Sequence, residues 1–209
     1  MIKRLLGAAL VVCATLGFAQ AEEYKAGQHF EVLPEKIPTN YRGSEAGEIM
    51  EIFSYSCIHC FNLEPFVQSW KQSKPEDIRF TPVPVLFNPR QTAEVKAYYA
   101  AELLEILDES HQATYNEIHI NRNRLSSDED FAEFYTRFGV SEDEYLNMAN
   151  SFAVNVKVNQ AQKVTQMSQV QGTPSLVVNG KYLVTGRTAG GNEKMFDVAV
   201  WLIRRDASE

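Results

Sequence analysis

Cysteine is scarce in this sequence: three residues in 209, at positions 13, 57 and 60. So few exclude the multi-bridge framework that holds small extracellular folds together. A basic charge excess is also missing. The formal charge is −7, which leaves no electrostatic ground for binding nucleic acid or an anionic membrane surface. The sequence has no internal repeat, no low-complexity tract and, beyond its first twenty residues, no long apolar run.

The one apolar run is N-terminal. Lys3 and Arg4 precede an almost wholly apolar or small stretch from Leu5 to Phe18, and Ala19-Gln20-Ala21 follows. This is the pattern of a cleavable secretory signal over residues 1–21, and the run is short for a membrane span. Cys13 follows Leu10-Val11-Val12, but the residue before it is bulky and apolar sequence continues past it. It is therefore expected to leave with the signal and not to anchor a lipid. Removing 21 of the 209 residues leaves 188, suited to one domain or one domain carrying an insertion. Taking Lys3 and Arg4 from the 20 basic residues leaves 18 against 27 acidic ones, a net −9.

The remaining chain holds Cys57 and Cys60 only. A bridge between them would close almost no loop and so stabilise the fold very little. Redox chemistry and metal binding are the two purposes left. His59 lies between the cysteines, where all three cannot easily converge on one ion. Zinc sites usually add a second ligand pair far along the chain, and only His29, His111 and His119 remain. His111 and His119, eight apart in a helical stretch, read as surface residues. No metal site and no cofactor is expected.

Glu48 to Ser56 reads as a strand and Cys57 to Ser73 as a helix, with Leu63, Phe66, Val67 and Trp70 at helical spacing. Pro65 removes a backbone donor within that helix, so a kink is expected. Ile78 to Leu86 is a second strand. Pro82 and Pro84 are two apart, so both missing N–H groups face one side, which places this strand at or near a sheet edge. Helical patterns follow over Thr92–Leu107, Ser110–Asn121, Asp128–Gly139 and from Ser141, with Asp128 and Ser141 as N-caps and Gly139 as a stop. Another helix is expected from Ser151 to about Val170. Ser175–Val178 and Tyr182–Thr185 form a hairpin about Asn179-Gly180-Lys181, Ala189-Gly190-Gly191 is a loop, and Asn192 caps a last helix to Arg205. The order describes an α/β unit with a mixed sheet and an inserted helical block.

A Cys-x-x-Cys at a strand-to-helix junction carries a mechanism. Free amides and the positive end of the helix dipole converge on the first cysteine, so the Cys57 thiolate should be stabilised. Cys60, one turn in and more buried, can resolve a mixed disulfide. The His59 imidazole can add a positive charge or a donated hydrogen bond to the Cys57 thiolate. Glu51 sits on a strand expected to be central and buried on both faces, where apolar residues are the rule. A carboxyl buried there should hold its proton more tightly and could exchange it with Cys60, directly or through water.

Residues 53–65, Phe-Ser-Tyr-Ser-Cys-Ile-His-Cys-Phe-Asn-Leu-Glu-Pro, resemble the active-site segment of the DsbA family of periplasmic disulfide donors. Val170-Gln171-Gly172-Thr173-Pro174-Ser175 with Val178-Asn179-Gly180-Lys181-Tyr182 is similar to that family's second motif. The resemblance implies a thioredoxin fold with an inserted helical domain: residues 22–89 and 152–209 form the thioredoxin-like part and residues 90–151 the insertion. It implies a redox disulfide between Cys57 and Cys60, with His59 and Glu51 as catalytic neighbours. Pro174 would be cis and face that pair, and Thr173 would pair through its backbone with an extended substrate segment. The implied partners are unfolded exported polypeptides and a membrane quinone-linked reoxidant of the DsbB type, met by a monomer in the periplasm. Two positions depart from the family: Ile58 stands where proline is common and Thr173 where valine is common, and both positions tune redox behaviour there. An isomerase or reductase is the alternative of the same class. A chaperone or metal-binding module without turnover is the alternative of another.

Overall fold

The computed structural model describes residues 24–41 and 44–208. The signal segment read at residues 1–21, with Cys13, lies outside them. Among the described residues the elements run β1 Glu31–Val32, β2 Gly47–Phe53, α1 Ile58–Ser73, β3 Ile78–Pro84, α2 Thr92–Leu103, α3 Leu107–His119, α4 Asp128–Tyr135, α5 Glu142–Ala149, α6 Phe152–Met167, β4 Ser175–Val178, β5 Tyr182–Thr185, α7 Gly186–Ala189 and α8 Lys194–Ser208.

The five strands form one mixed sheet in the order β1-β5-β4-β2-β3. β2 is central. It runs parallel to β3, with Glu51 opposite Pro82, and antiparallel to β4, with Glu51 opposite Leu176. All seven of its residues are buried, as covering both faces of a central strand requires. β3 pairs only with β2, so Pro82 and Pro84 stand on an edge strand, where a missing donor costs no ladder bond.

Strand alternation sorts the core into two layers. Ile49, Leu176, Val178 and Val184 face Leu63 and Val67 of α1 and Phe196, Ala199 and Leu202 of α8. Met50, Ile52, Val83 and Val177 face the opposite way, into the core shared with α2 to α6. The helical block between β3 and β4 thus covers one face of the sheet, and α1 and α8 cover the other. This is a thioredoxin fold carrying a helical insertion. Each fully buried Ile, Leu, Val or Phe in these layers contributes about 1.5–3 kcal/mol relative to exposure.

Several elements differ from the sequence reading. β2 ends at Phe53, not Ser56, because the Ser54 carbonyl turns back to accept the Cys57 amide at 3.1 Å. α1 starts at Ile58, one residue later than expected, and runs past Pro65 to Ser73. α2 stops at Leu103, since Glu105 takes a left-handed φ of 60°, and α3 starts at Leu107, before Ser110. Ser127, not Asp128, caps α4: its side chain accepts from the Asp130 amide. Gly139, at φ 83°, closes the short 3-10 turn after α4, and Ser141 and Ser151 cap α5 and α6. The hairpin has the bounds its turn chemistry gave it: Asn179 and Gly180 sit at φ 52° and 65°, and Lys181 N–H donates to Val178 O at 2.9 Å. β1, two residues long, carries no pattern and was missed. Residues 186–189 form the short helix α7 where only the loop Ala189-Gly190-Gly191 was read, and α8 opens at Lys194, two residues beyond the expected cap Asn192.

Candidate active site

β2 ends, the chain makes a three-residue turn, and Cys57 becomes the N-cap of α1 with extended backbone, φ −86° and ψ 115°. Its carbonyl accepts the first helical bond from Phe61 N–H at 3.0 Å. The amides of the following residues are therefore unpaired within the helix and lie near the sulfur. Cys57 is half-buried and Cys60 buried, and both are free thiols.

The two sulfurs hold their protons very differently. The Cys57 thiol falls from an ordinary value near 9 to about 5. The side chain of Cys60 contributes most to that fall. Partial burial opposes it, and the Thr173 side chain and the backbone amides of Cys60 and His59 reinforce it. The Cys60 thiol is pushed far up, first by burial and then by the neighbouring Cys57 sulfur. The proton thus resides on Cys60 and the negative charge on Cys57, as a nucleophile or leaving group at position 57 requires.

The turn before β4 closes the site from the far end of the chain. The Thr173–Pro174 bond is cis, and the Cys57 sulfur lies 3.3 Å from the Thr173 carbonyl oxygen. A groove of about 530 Å³ beside them is lined by His59, Gln171, Thr173, Pro174, Thr185 and Arg187, among others. His59 is exposed at its mouth. Its backbone amide, not its ring, is among the groups that favour the thiolate. Ile58, between the cysteines, is 48% exposed, so an apolar side chain flanks the reactive sulfur.

Glu51 is 4% exposed, on the face of β2 that looks toward α1. Burial raises its carboxyl from 4.5 to about 8, the charge of Glu64 adds to this, and Lys71 partly offsets it. These three residues share a cavity of about 40 Å³ with Gln68, Tyr98 and His111. One water needs only about 10–15 Å³ of such space, so the cavity has room for one.

The structure also gathers residues that the sequence reading left out or misplaced. Glu64, on α1, is buried and bonded to Gln68. His111 and His119, read as surface residues, are half-buried against the segment before Cys57. His111 Nδ1 lies 2.8 Å from Tyr55 Oη and Nε2 3.6 Å from Glu64 Oε1. His119 Nε2 lies 2.8 Å from the Tyr55 carbonyl, and its ring stacks on Phe61. The usable signal was their spacing: four positions separate His111 from Tyr115 and Tyr115 from His119, so all three share one helix face with a buried aromatic. No group of three His, Cys, Asp or Glu side chains among the described residues could hold a metal ion.

A family model for the DSBA-like thioredoxin domain matches residues 73–199. Full-length relatives extend the likeness across β2 and the cysteine pair. The chain is 32% identical to the thiol:disulfide interchange protein DsbA of Pseudomonas aeruginosa over 97% of this chain and 95% of that protein. It is 32% identical to the protein of the same name from Azotobacter vinelandii over 100% of this chain and 99% of the other. Among solved structures, the oxidoreductase DsbA of Xylella fastidiosa superposes with a TM-score of 0.82 at 28% identity, covering 89% of this chain and 99% of that one. A crystal structure of Pseudomonas aeruginosa DsbA gives 0.81 at 30% identity, with 88% and 95% covered.

Proposed function

The chain belongs to the DSBA-like thioredoxin family and is a thiol:disulfide oxidoreductase, and on that premise we propose that it donates the Cys57–Cys60 disulfide to newly exported polypeptides in the periplasm. The supporting observation is the pairing of a half-buried Cys57, anionic near neutral pH, with a buried Cys60 that keeps its proton.

A substrate thiolate attacks the Cys57 sulfur of the disulfide and the Cys60 sulfur leaves, giving a mixed disulfide between substrate and Cys57. A second substrate thiolate then attacks the substrate sulfur of that bond. Cys57 departs as a thiolate and the substrate gains a disulfide. The second step is favourable because a thiol of low pKa is a good leaving group. The first step ejects a sulfur that is strongly basic where it sits, so it needs a proton. Glu51, neutral up to about pH 8, is the donor in this reading, directly or through water. His59, exposed beside Cys57, is a further catalytic neighbour, and its backbone amide favours the thiolate. Thr173 and Pro174 form the rail along which the substrate backbone lies.

Residues 1–21 act as the cleaved export signal, residues 22–89 and 152–209 as the thioredoxin-like domain, and residues 90–151 as the inserted helical domain. A membrane quinone-linked protein of the DsbB type restores the disulfide, and the enzyme works as a monomer. Replacing the resolving sulfur tests the exchange step. Cys60→Ser, first loaded at Cys57 with a glutathione mixed disulfide, should pass that bond to unfolded, thiol-bearing polypeptides with release of glutathione, and the resulting mixed disulfides should accumulate as species that collapse on reduction. If no trapped species forms while wild-type protein oxidises the same substrates, exchange does not proceed through Cys57.

A further inference from the structure

Residues 54–56 join the end of β2 to the reactive sulfur, and side chains of α2 and α3 hold them from outside. Glu94, in the first turn of α2, accepts through Oε2 from Ser54 Oγ at 3.0 Å, Ser56 Oγ at 3.2 Å and the Ser56 amide at 3.3 Å. Between the two serines, Tyr55 is gripped by α3. His119 Nε2 stands 2.8 Å from its carbonyl oxygen and His111 Nδ1 2.8 Å from its hydroxyl. A carbonyl can only accept, so His119 Nε2 carries the proton of that bond. The same imidazole stacks on Phe61, ring centroids 5.0 Å apart and planes at 20°. One side chain therefore touches the residue two before Cys57 and the residue one after Cys60.

The turn itself has a single internal backbone bond, from the Cys57 amide to Ser54 O. Hydrogen bonds weaken steeply with misalignment, so what stabilises a thiolate at the helix start depends on where the turn places its sulfur. We propose that Glu94 and His119 are positioning residues for Cys57: from α2 and α3 they fix the Ser54–Ser56 turn and so hold the sulfur against the amides of His59 and Cys60. Neither touches the sulfur. A carboxylate near an anionic sulfur opposes its charge, so the contribution of Glu94 is geometric and should survive replacement by a neutral acceptor.

The inference rests on the reading of Cys57 as the exchanging thiol, and the test separates the two. It uses the chain without residues 1–21, as wild type and as Glu94→Gln, Glu94→Ala, His119→Gln and His119→Phe. Glutamine at 94 keeps an acceptor oxygen and drops the charge, whereas alanine drops both. Glutamine at 119 keeps a donor, whereas phenylalanine keeps only the stack. The readouts are the pH midpoint of Cys57 thiolate absorbance and the equilibrium with glutathione, alongside urea midpoints for stability. Glu94→Ala and His119→Phe should raise the thiolate midpoint and shift the glutathione equilibrium about tenfold or more toward the protein disulfide, while the two glutamine variants stay within about threefold of wild type. The proposal is overturned if alanine and phenylalanine lower stability but leave titration and equilibrium unchanged, or if Glu94→Gln behaves as Glu94→Ala. Should the larger deletions prevent folding, Ser54→Ala removes one Glu94 contact together with the bonds of Ser54 Oγ to the Ser56 amide and hydroxyl and must shift the equilibrium in the same direction; an unchanged value counts against the proposal. Wild-type Cys57 titrating as a free thiol would instead sink the proposed function.

Discussion

The sulfur of Cys57 and the carbonyl oxygen of Thr173 stand 3.3 Å apart, although 116 positions separate the two residues. The Thr173 side chain is also among the groups that draw the Cys57 pKa down. One residue therefore places its carbonyl beside the sulfur and offers a hydroxyl that steadies the charge on it. This contact depends on β4 pairing with β2, which brings the turn before β4 to the end of the strand that leads into the cysteines.

Thr173→Val keeps the shape and deletes the hydroxyl. A hydrogen bond to a charged group is worth about 1.5–3 kcal/mol, and water replaces part of it here, so the Cys57 midpoint should rise by about one pH unit. Thiolate absorbance against pH checks this. A midpoint that stays put, or falls, would mean that the hydroxyl does not serve the sulfur.

Glu51 and Cys57 pull the pH dependence of folding in opposite directions. Glu51 is near 4.5 when unfolded and about 8 when folded. Below 4.5 it is neutral in both states and costs nothing. As pH rises toward 8 the unfolded chain ionises first, and stability is lost at about 1.4 kcal/mol per pH unit. Cys57 in the reduced protein has the opposite sign. Its folded value of about 5 lies below the ordinary 9, so its contribution is present above 9 and is lost as pH falls through 5. Solvent at the half-buried sulfur makes this gain smaller than the full slope. Urea unfolding of the reduced protein from pH 5 to 8 should therefore show Glu51→Gln gaining steadily on wild type as pH rises. A gain that is constant across the range contradicts a buried, neutral Glu51.

The path from sequence to site was clearest where local chemistry has a single solution. Asn179-Gly180 demands positive φ at two successive residues, and the hairpin bounds followed. Pro82 and Pro84 cannot donate, so the edge position of β3 followed. Cys57 before a helical apolar pattern is a cap position, and the polarity of the two sulfurs followed. What stayed hidden depends on which helix face the fold covers. Glu64 and His111 are polar, sit at helical spacing and look like surface residues until α1 and α3 are seen packed on each other. Glu94 gave no signal at all, because its partners Ser54 and Ser56 lie about 40 positions away. β1 is too short to show alternation.

The hairpin offers a sharp test of the frame that holds the site. Gly180 has φ 65°, and a Cβ there would lie 2.1 Å from the Ile37 carbonyl oxygen. The Gly180 carbonyl meanwhile accepts the Ile37 amide at 2.8 Å. Gly180→Ala should cost at least about 2 kcal/mol from backbone strain and the displaced neighbour. Chemical denaturation reads it directly, and a change inside 0.5 kcal/mol, the scatter of an inert surface substitution, would mean that the turn is not built this way.

Alkylation of reduced protein as a function of pH measures the charge on the reactive sulfur most directly. Modification confined to Cys57, with its rate following a single titration centred near pH 5 and Cys60 untouched in the folded state, is the expected result. A rate that rises only above pH 8, as for an unperturbed thiol near 9, or equal labelling of both cysteines, would contradict it.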